Sequence, residues 1–172
     1  MSEGMALPDV LAPSLRVVFC GTAAGTKSAQ KHAYYAGPGN RFWHVLHQTQ
    51  MTTRELEPHE YLSLLDYGIG LTDVCKTTAG MDSEIPIGAF DPAGLKLKVA
   101  ELKPCAIAFN GKTAARVALG LKHDAPIDCG LQPDLLAGAA VWVLSSTSGA
   151  ASGYWDVQPW QTLANSLPAL AN

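Results

Sequence analysis

A chain of 172 residues suits one domain with one sizeable core, and 48% hydrophobic against 16% charged residues excludes an intrinsically disordered protein. No apolar run is long enough to span a bilayer, and the first residues lack the basic start and apolar stretch of a secretory signal, so a cytoplasmic protein with no membrane partner is expected. The formal net charge of −3 argues against a uniformly basic nucleic-acid binder, but residues 10–53 hold no Asp or Glu while carrying Arg16, Lys27, Lys31 and Arg41, and residues 138–155 hold no charge.

Residues 1–14 read as a short tail, either ordered or frayed and flexible, on a domain that takes in the whole chain, 1–172. Residues 15–20 (LRVVFC) are a buried strand ending at glycine, followed by a long Gly-rich stretch with no clear period. Asn40 caps a predicted helix over 41–48 with Phe42, Val45 and Leu46 on one stripe. Pro58 starts a second helix to residue 65. Residues 69–74 (IGLTDV) form a short strand, and 77–90 are polar and turn-rich. Asp91-Pro92 caps a helix to about residue 102. Residues 105–109 (CAIAF) are a second buried strand turning at Asn110-Gly111 into a helix over 112–119. A third, 140–144 (AVWVL), runs into a small-residue loop and a closing helix over 156–165. Strands alternating with helices predict an α/β fold, a three-layer α/β/α sandwich with a central, mostly parallel sheet. In such sheets ligands bind beyond the strand carboxyl ends, where GTAAG, FNGK and SSTSG all fall.

The four cysteines form no CxxC pair, and Cys20 and Cys105 read as buried thiols in strands. His44 and His47 share a helix face without a third ligand, so no metal or other cofactor is expected. GTAAG lacks the ending of a P-loop and the third glycine of a dinucleotide fingerprint; its glycines suggest close backbone approach to a ligand.

The ordered set GTAAG, YYAGPGNRFW and LSSTSGAAS, with DYGIGLTDV and AFNGKTA between them, resembles the mismatch-specific branch of the uracil-DNA glycosylase superfamily over residues 15–152. Members there show a GINPG-like first motif, an AHPxNRFW-like segment and a PNPSGLS-like last motif. The resemblance implies that a monomer acts on DNA containing a damaged or mismatched base, flipping it out and hydrolysing its N-glycosidic bond. Gly21, Thr22, Ala23 and Gly25 would wall the base pocket, Tyr35 would stack on the base, and Asn110 would line the pocket. Lys27, Ser28, Lys31 and Arg41 would meet DNA, as would Ser146, Thr147, Ser148 and Gly149 of the last motif.

One departure stands out. The family's first motif usually carries an Asn or Asp that handles water, and here that position is Ala23. A hypoxanthine-DNA glycosylase-like branch also lacks that residue, relies on the Asn of its NRFW segment, and ends in a motif closer to STS. The matching residue is Asn40, so the resemblance favours that branch. Asn40 has no useful pKa and can orient water or bind a carbonyl without acting as a base; the alternative is a helix cap. Asp73 is the carboxylate candidate for a general base, with a loop acid bonded to its own backbone as the alternative. Asn110 also fits a plain Asn-Gly turn. Ala23 keeps open a module that binds nucleic acid without cutting it, and a doubly wound sheet keeps open a nucleoside-processing enzyme.

Overall fold

A computed structural model describes residues 7–170. In chain order the elements are β1 (Val17–Gly21), α1 (Thr26–Lys31), α2 (Phe42–Gln48), β2 (Ile69–Asp73), α3 (Pro92–Leu102), β3 (Ala106–Asn110), α4 (Lys112–Ala118), β4 (Gly130–Leu131), β5 (Ala140–Leu144) and α5 (Gln158–Ser166). A 3-10 helix occupies Pro58–Tyr67, with shorter ones at Asp82–Glu84, Ile87–Ala89 and Gly149–Tyr154.

The sheet order is β2-β1-β3-β5-β4. β2, β1, β3 and β5 run parallel, and two-residue β4 closes one edge antiparallel to β5. Strands buried on both faces need apolar residues at every position, which is why VVFC, AIAF and AVWVL show no polar alternation. Val17, Phe19, Leu71, Ala108 and Leu144 pack with α2 and α5 in one core cluster. Cys20, Ile107, Phe109, Val141 and Val143 pack with α3 and α4 in another. Helices therefore cover both faces, as the expected sandwich requires.

Several expectations change. Residues 7–14 take the ordered alternative: Leu7 and Val10 are buried, and Val10 exchanges backbone hydrogen bonds with Leu71 at 2.9 and 2.8 Å. Residues 1–6 of that predicted tail lie outside the described residues. The Gly-rich stretch contains α1, a six-residue helix too short and polar to show a period. The helix at Pro58 is 3-10 and runs to Tyr67. Cys105 is exposed, because its strand begins one residue later at Ala106. The α2 cap position falls on Arg41, yet Asn40 still accepts the Phe42 amide through Oδ1 at 3.0 Å.

The chain leaves β1 toward β2 on one side and returns past β1 to reach β3 on the other. The β1 and β3 connections thus part in opposite directions, opening a crevice at their carboxyl ends.

Candidate active site

That crevice is a cleft of about 930 Å³. Its first wall is the β1 loop, with Gly21, Thr22, Ala23 and Gly25; its second is Tyr35, Gly37, Pro38 and Asn40. The loops after β3 and β5 supply Asn110 and the segment from Ser146 to Gly149. Three strand ends, at Gly21, Asn110 and Leu144, thus meet at one site although the first and last are 123 residues apart in sequence.

Gly21 is required at its position. A Cβ there would sit 2.8 Å from Asp73 Oδ1 and 3.4 Å from the Tyr35 hydroxyl, so any side chain would push the wall and the aromatic apart. Tyr35 is held by its neighbours. Its ring stacks on Phe42 at a centroid distance of 4.1 Å, and its residue lines the cleft. Phe42 is in turn wedged edge-on against Phe19 and Trp43, so the aromatic platform rests on the main core. The Tyr35 hydroxyl is buried without a hydrogen-bond partner among the described residues. Burial pushes its pKa well above the ordinary phenol value, which keeps it a neutral donor.

Asn40 lines the cleft with its orientation fixed by chemistry. The Phe42 amide needs an acceptor and takes Oδ1, which turns Nδ2 away as a donor; Nδ2 has no protein acceptor among the described residues. Asn110 is engaged differently. Its Oδ1 accepts the Thr147 amide at 3.0 Å and its Nδ2 donates to the Thr147 hydroxyl at 2.9 Å. This reciprocal pair locks the last loop onto the end of β3. Gly111 lets the loop close down, since its φ of +105° suits glycine and a Cβ would lie 3.3 Å from that of Ser146.

Three residues expected to meet DNA make internal contacts, and a fourth, Lys31, stands outside the cleft. Thr147 is 1% exposed and is spent on Asn110. Ser28, also buried, accepts the Ala36 amide at 3.0 Å and ties α1 to the Tyr35 turn. Arg41 is not among the cleft-lining residues: its guanidinium lies over Trp155 at 5.4 Å, and its amide donates to the Thr147 carbonyl at 2.9 Å. It fastens the NRFW segment to the last loop. Lys31 ends α1 on the exposed surface, outside the cleft lining. Lys27, Ser146, Ser148 and Gly149 line it, as do Ser28 and Thr147 despite their internal contacts.

Asp73 does not line the cleft either. It is buried behind Gly21, with Lys76 Nζ at 3.4 Å; Lys76 also meets Asp9 at 3.2 Å and donates to the Tyr34 hydroxyl at 3.0 Å. A strand-end carboxylate thus closes an internal charge cluster, and the wall hides it from a ligand. Burial raises its pKa from 3.8 to about 6, against the lowering pull of Lys76. The folded chain therefore binds this proton more tightly than the unfolded chain. Its contribution to stability is full below pH 3.8 and is lost as pH rises through about 6. Relative to wild type, Asp73→Asn should gain roughly 3 kcal/mol of unfolding free energy between about pH 4 and about pH 7. Urea titrations of both proteins at the two pH values check this; a pH-independent difference would remove Asp73 as the titrating group.

Sequence reasoning missed several cleft residues. Met81, Asp82 and Ser83 enter from the polar segment after β2, Lys112 and Thr113 from the start of α4, and Tyr154 from the short helix after the last motif. Met81 and Tyr154 are large apolar groups 65% and 86% exposed, a signal visible only once burial is known. Lys27 and Lys112 put positive charge on two walls, where phosphate can be met locally despite the net negative chain. No helix among the described residues is long and apolar enough to cross a membrane.

The arrangement has counterparts among known proteins. The family model described as the uracil DNA glycosylase superfamily matches residues 8–164. The solution NMR structure of a candidate uracil DNA glycosylase from Methanosarcina acetivorans superimposes with a TM-score of 0.60 at 25% identity, covering 92% of this chain and 93% of that one. With 157 residues inside the family match, and loops meeting where that family's motifs fall, the chain belongs to the uracil DNA glycosylase superfamily, a membership that implies a DNA N-glycosylase of base excision repair.

Proposed function

We propose that this glycosylase excises deaminated, oxo-bearing bases from DNA, uracil and hypoxanthine among them, by hydrolysis without a covalent sugar intermediate. The observation that carries this reading is the donor orientation of Asn40. A carboxamide pinned through Oδ1 offers only N–H groups to the cleft, and those suit a carbonyl. Deamination replaces the amino group of cytosine or adenine with just such a carbonyl. An intact cytosine or adenine turns an amino donor toward the Asn40 donor and leaves both unpaired, which a site of this kind rejects strongly.

Mechanism follows from the walls. The extruded base stacks on Tyr35, which offsets by roughly 1–3 kcal/mol the cost of leaving the helix. As the glycosidic bond lengthens, negative charge grows on the base, and in this reading two donors of cleft-lining residues, Asn40 Nδ2 and the Ala23 amide, receive it. That amide has no acceptor among the described residues. Donors fixed before the reaction need no reorganisation, and such preorganisation is often the largest catalytic contribution. Lys27 and Lys112 face the phosphates, with Ser146, Ser148 and Gly149 on the opposite rim. The NRFW segment and the STS last motif favour the hypoxanthine-DNA glycosylase-like branch for this chain.

Ala23 favours a second reading, a module that binds DNA without cutting. A single-turnover panel of oligonucleotides carrying uracil, hypoxanthine, ethenocytosine, cytosine or adenine separates the two. The expected result is cleavage of uracil and hypoxanthine, none of cytosine or adenine, and no complex trapped by borohydride. Binding of every oligonucleotide with cleavage of none would establish the second reading instead.

A further inference from the structure

We propose that Asp82 is the base that accepts a proton from the attacking water, doing so from the turn that packs against the Ala23 loop. This rests on the glycosylase reading above. Ala23 has no polar side chain, the Thr22 hydroxyl is engaged as a donor to Asp82, and Asn40 is turned as a donor, so none of them can take a proton. Asp73 is walled off behind Gly21 and occupied by Lys76. Among the described residues lining the cleft, Asp82 has the one carboxyl side chain.

Its placement is built rather than incidental. The Thr22 hydroxyl, next to Ala23 in sequence, donates to Asp82 Oδ1. The segment after β2 is zipped onto the first loop, with the Cys75 amide on the Thr22 carbonyl at 2.7 Å and the Gly80 amide on the Ala24 carbonyl at 2.9 Å. The turn itself is closed by Glu84, whose side chain accepts the Met81 amide at 2.7 Å while its own amide donates to the Met81 carbonyl at 2.8 Å. Asp82 is thereby held against the wall by one oxygen. Its Oδ2 has no protein partner among the described residues and is free to accept from water.

The step balances as a hydrolysis. Water oxygen bonds to the sugar C1′ as the C1′–N bond breaks, and that electron pair leaves with the base. The water proton passes to Asp82 Oδ2 and from there to solvent, which the exposed side chain reaches, and the departing base nitrogen takes its proton from solvent.

Asp82→Asn tests this cleanly. The variant keeps the side-chain size and an acceptor for Thr22 but cannot take a proton. Single-turnover cleavage of a uracil oligonucleotide should slow by about 100-fold or more, in the range for losing a general base. The acid limb of the wild-type pH–rate profile should disappear in the variant, while binding to an abasic-site oligonucleotide is unchanged; Asp82→Glu should recover part of the rate. Wild-type rate in Asp82→Asn, or a loss of rate with the pH profile intact, would overturn the assignment and leave the glycosylase reading standing. A wild-type protein that cleaves no lesion would overturn both.

Discussion

Replacing Asn40 with alanine should slow single-turnover excision of uracil or hypoxanthine by about 100- to 1,000-fold, the loss expected when one fixed donor is removed from a developing anion. The reason lies in the division of labour within its carboxamide. Oδ1 is committed to the Phe42 amide, so the protein loses an Asx-type contact worth about 1 kcal/mol, small beside the kinetic effect. Nδ2 has no acceptor among the described residues, and Asn40 lines the cleft. Asn40→Asp separates the two functions, because the aspartate keeps an acceptor for Phe42 and presents an acceptor where the donor was. It should fold as well as wild type and lose oxo-base excision as fully as the alanine variant. Undiminished excision in both variants would leave Asn40 with its capping contact alone.

The largest structural effect should come from Trp160. Its ring is fully buried, stacks on Phe19 with centroids 5.4 Å apart, and lies edge-on to Phe42. Truncation to alanine should cost about 3–5 kcal/mol in a urea titration, the usual range for emptying a large aromatic from a core. A cost below about 1 kcal/mol, that of an ordinary surface change, would contradict this packing. The indole also reaches the site: Nε1 donates to the Ser145 carbonyl at 3.0 Å, and the Ser145 hydroxyl accepts the Asp156 amide at 3.2 Å. Trp160→Phe keeps most of the ring and orphans that buried carbonyl, a penalty of roughly 1–3 kcal/mol. Because Ser145 belongs to the last motif, this milder variant should lose excision rate at temperatures where it is still folded.

The frame of the molecule was legible because fully buried parallel strands leave a plain mark. VVFC, AIAF and AVWVL are apolar at every position, and the Asp91-Pro92 pair announced α3, whose Gly94 amide donates to Asp91 Oδ1 at 2.9 Å. Convergence of the three loops followed from chain order alone. Side-chain direction did not. Asp73 stands at a strand's carboxyl end, the right place for a catalytic acid, yet its register opposite Gly21 puts it behind the wall. Thr147 and Ser28 look like phosphate ligands because short hydroxyl residues serve equally well to satisfy buried amides, and composition cannot tell these uses apart. Arg41 followed the same pattern, its charge suggesting phosphate while Trp155 supplied a nearer partner. Asp82 was hidden for the opposite reason: it belongs to a polar, irregular segment whose placement depends on amide contacts to a loop sixty residues earlier.

The contact between Val10 and Leu71 bears on what the outer edge of the sheet presents to other chains. β2 is the outer strand on its side of the sheet, and an open parallel edge of buried-type residues is a template for pairing with another chain. Val10 occupies that edge antiparallel, and Gly70 allows the approach, since a Cβ there would fall 2.7 Å from the Val10 carbonyl. The opposite edge is blunted by the brevity of β4. The segment around Val10 therefore covers that edge, and trimming it past Val10 should uncover the pairing groups of Leu71, which size-exclusion chromatography would read as self-association.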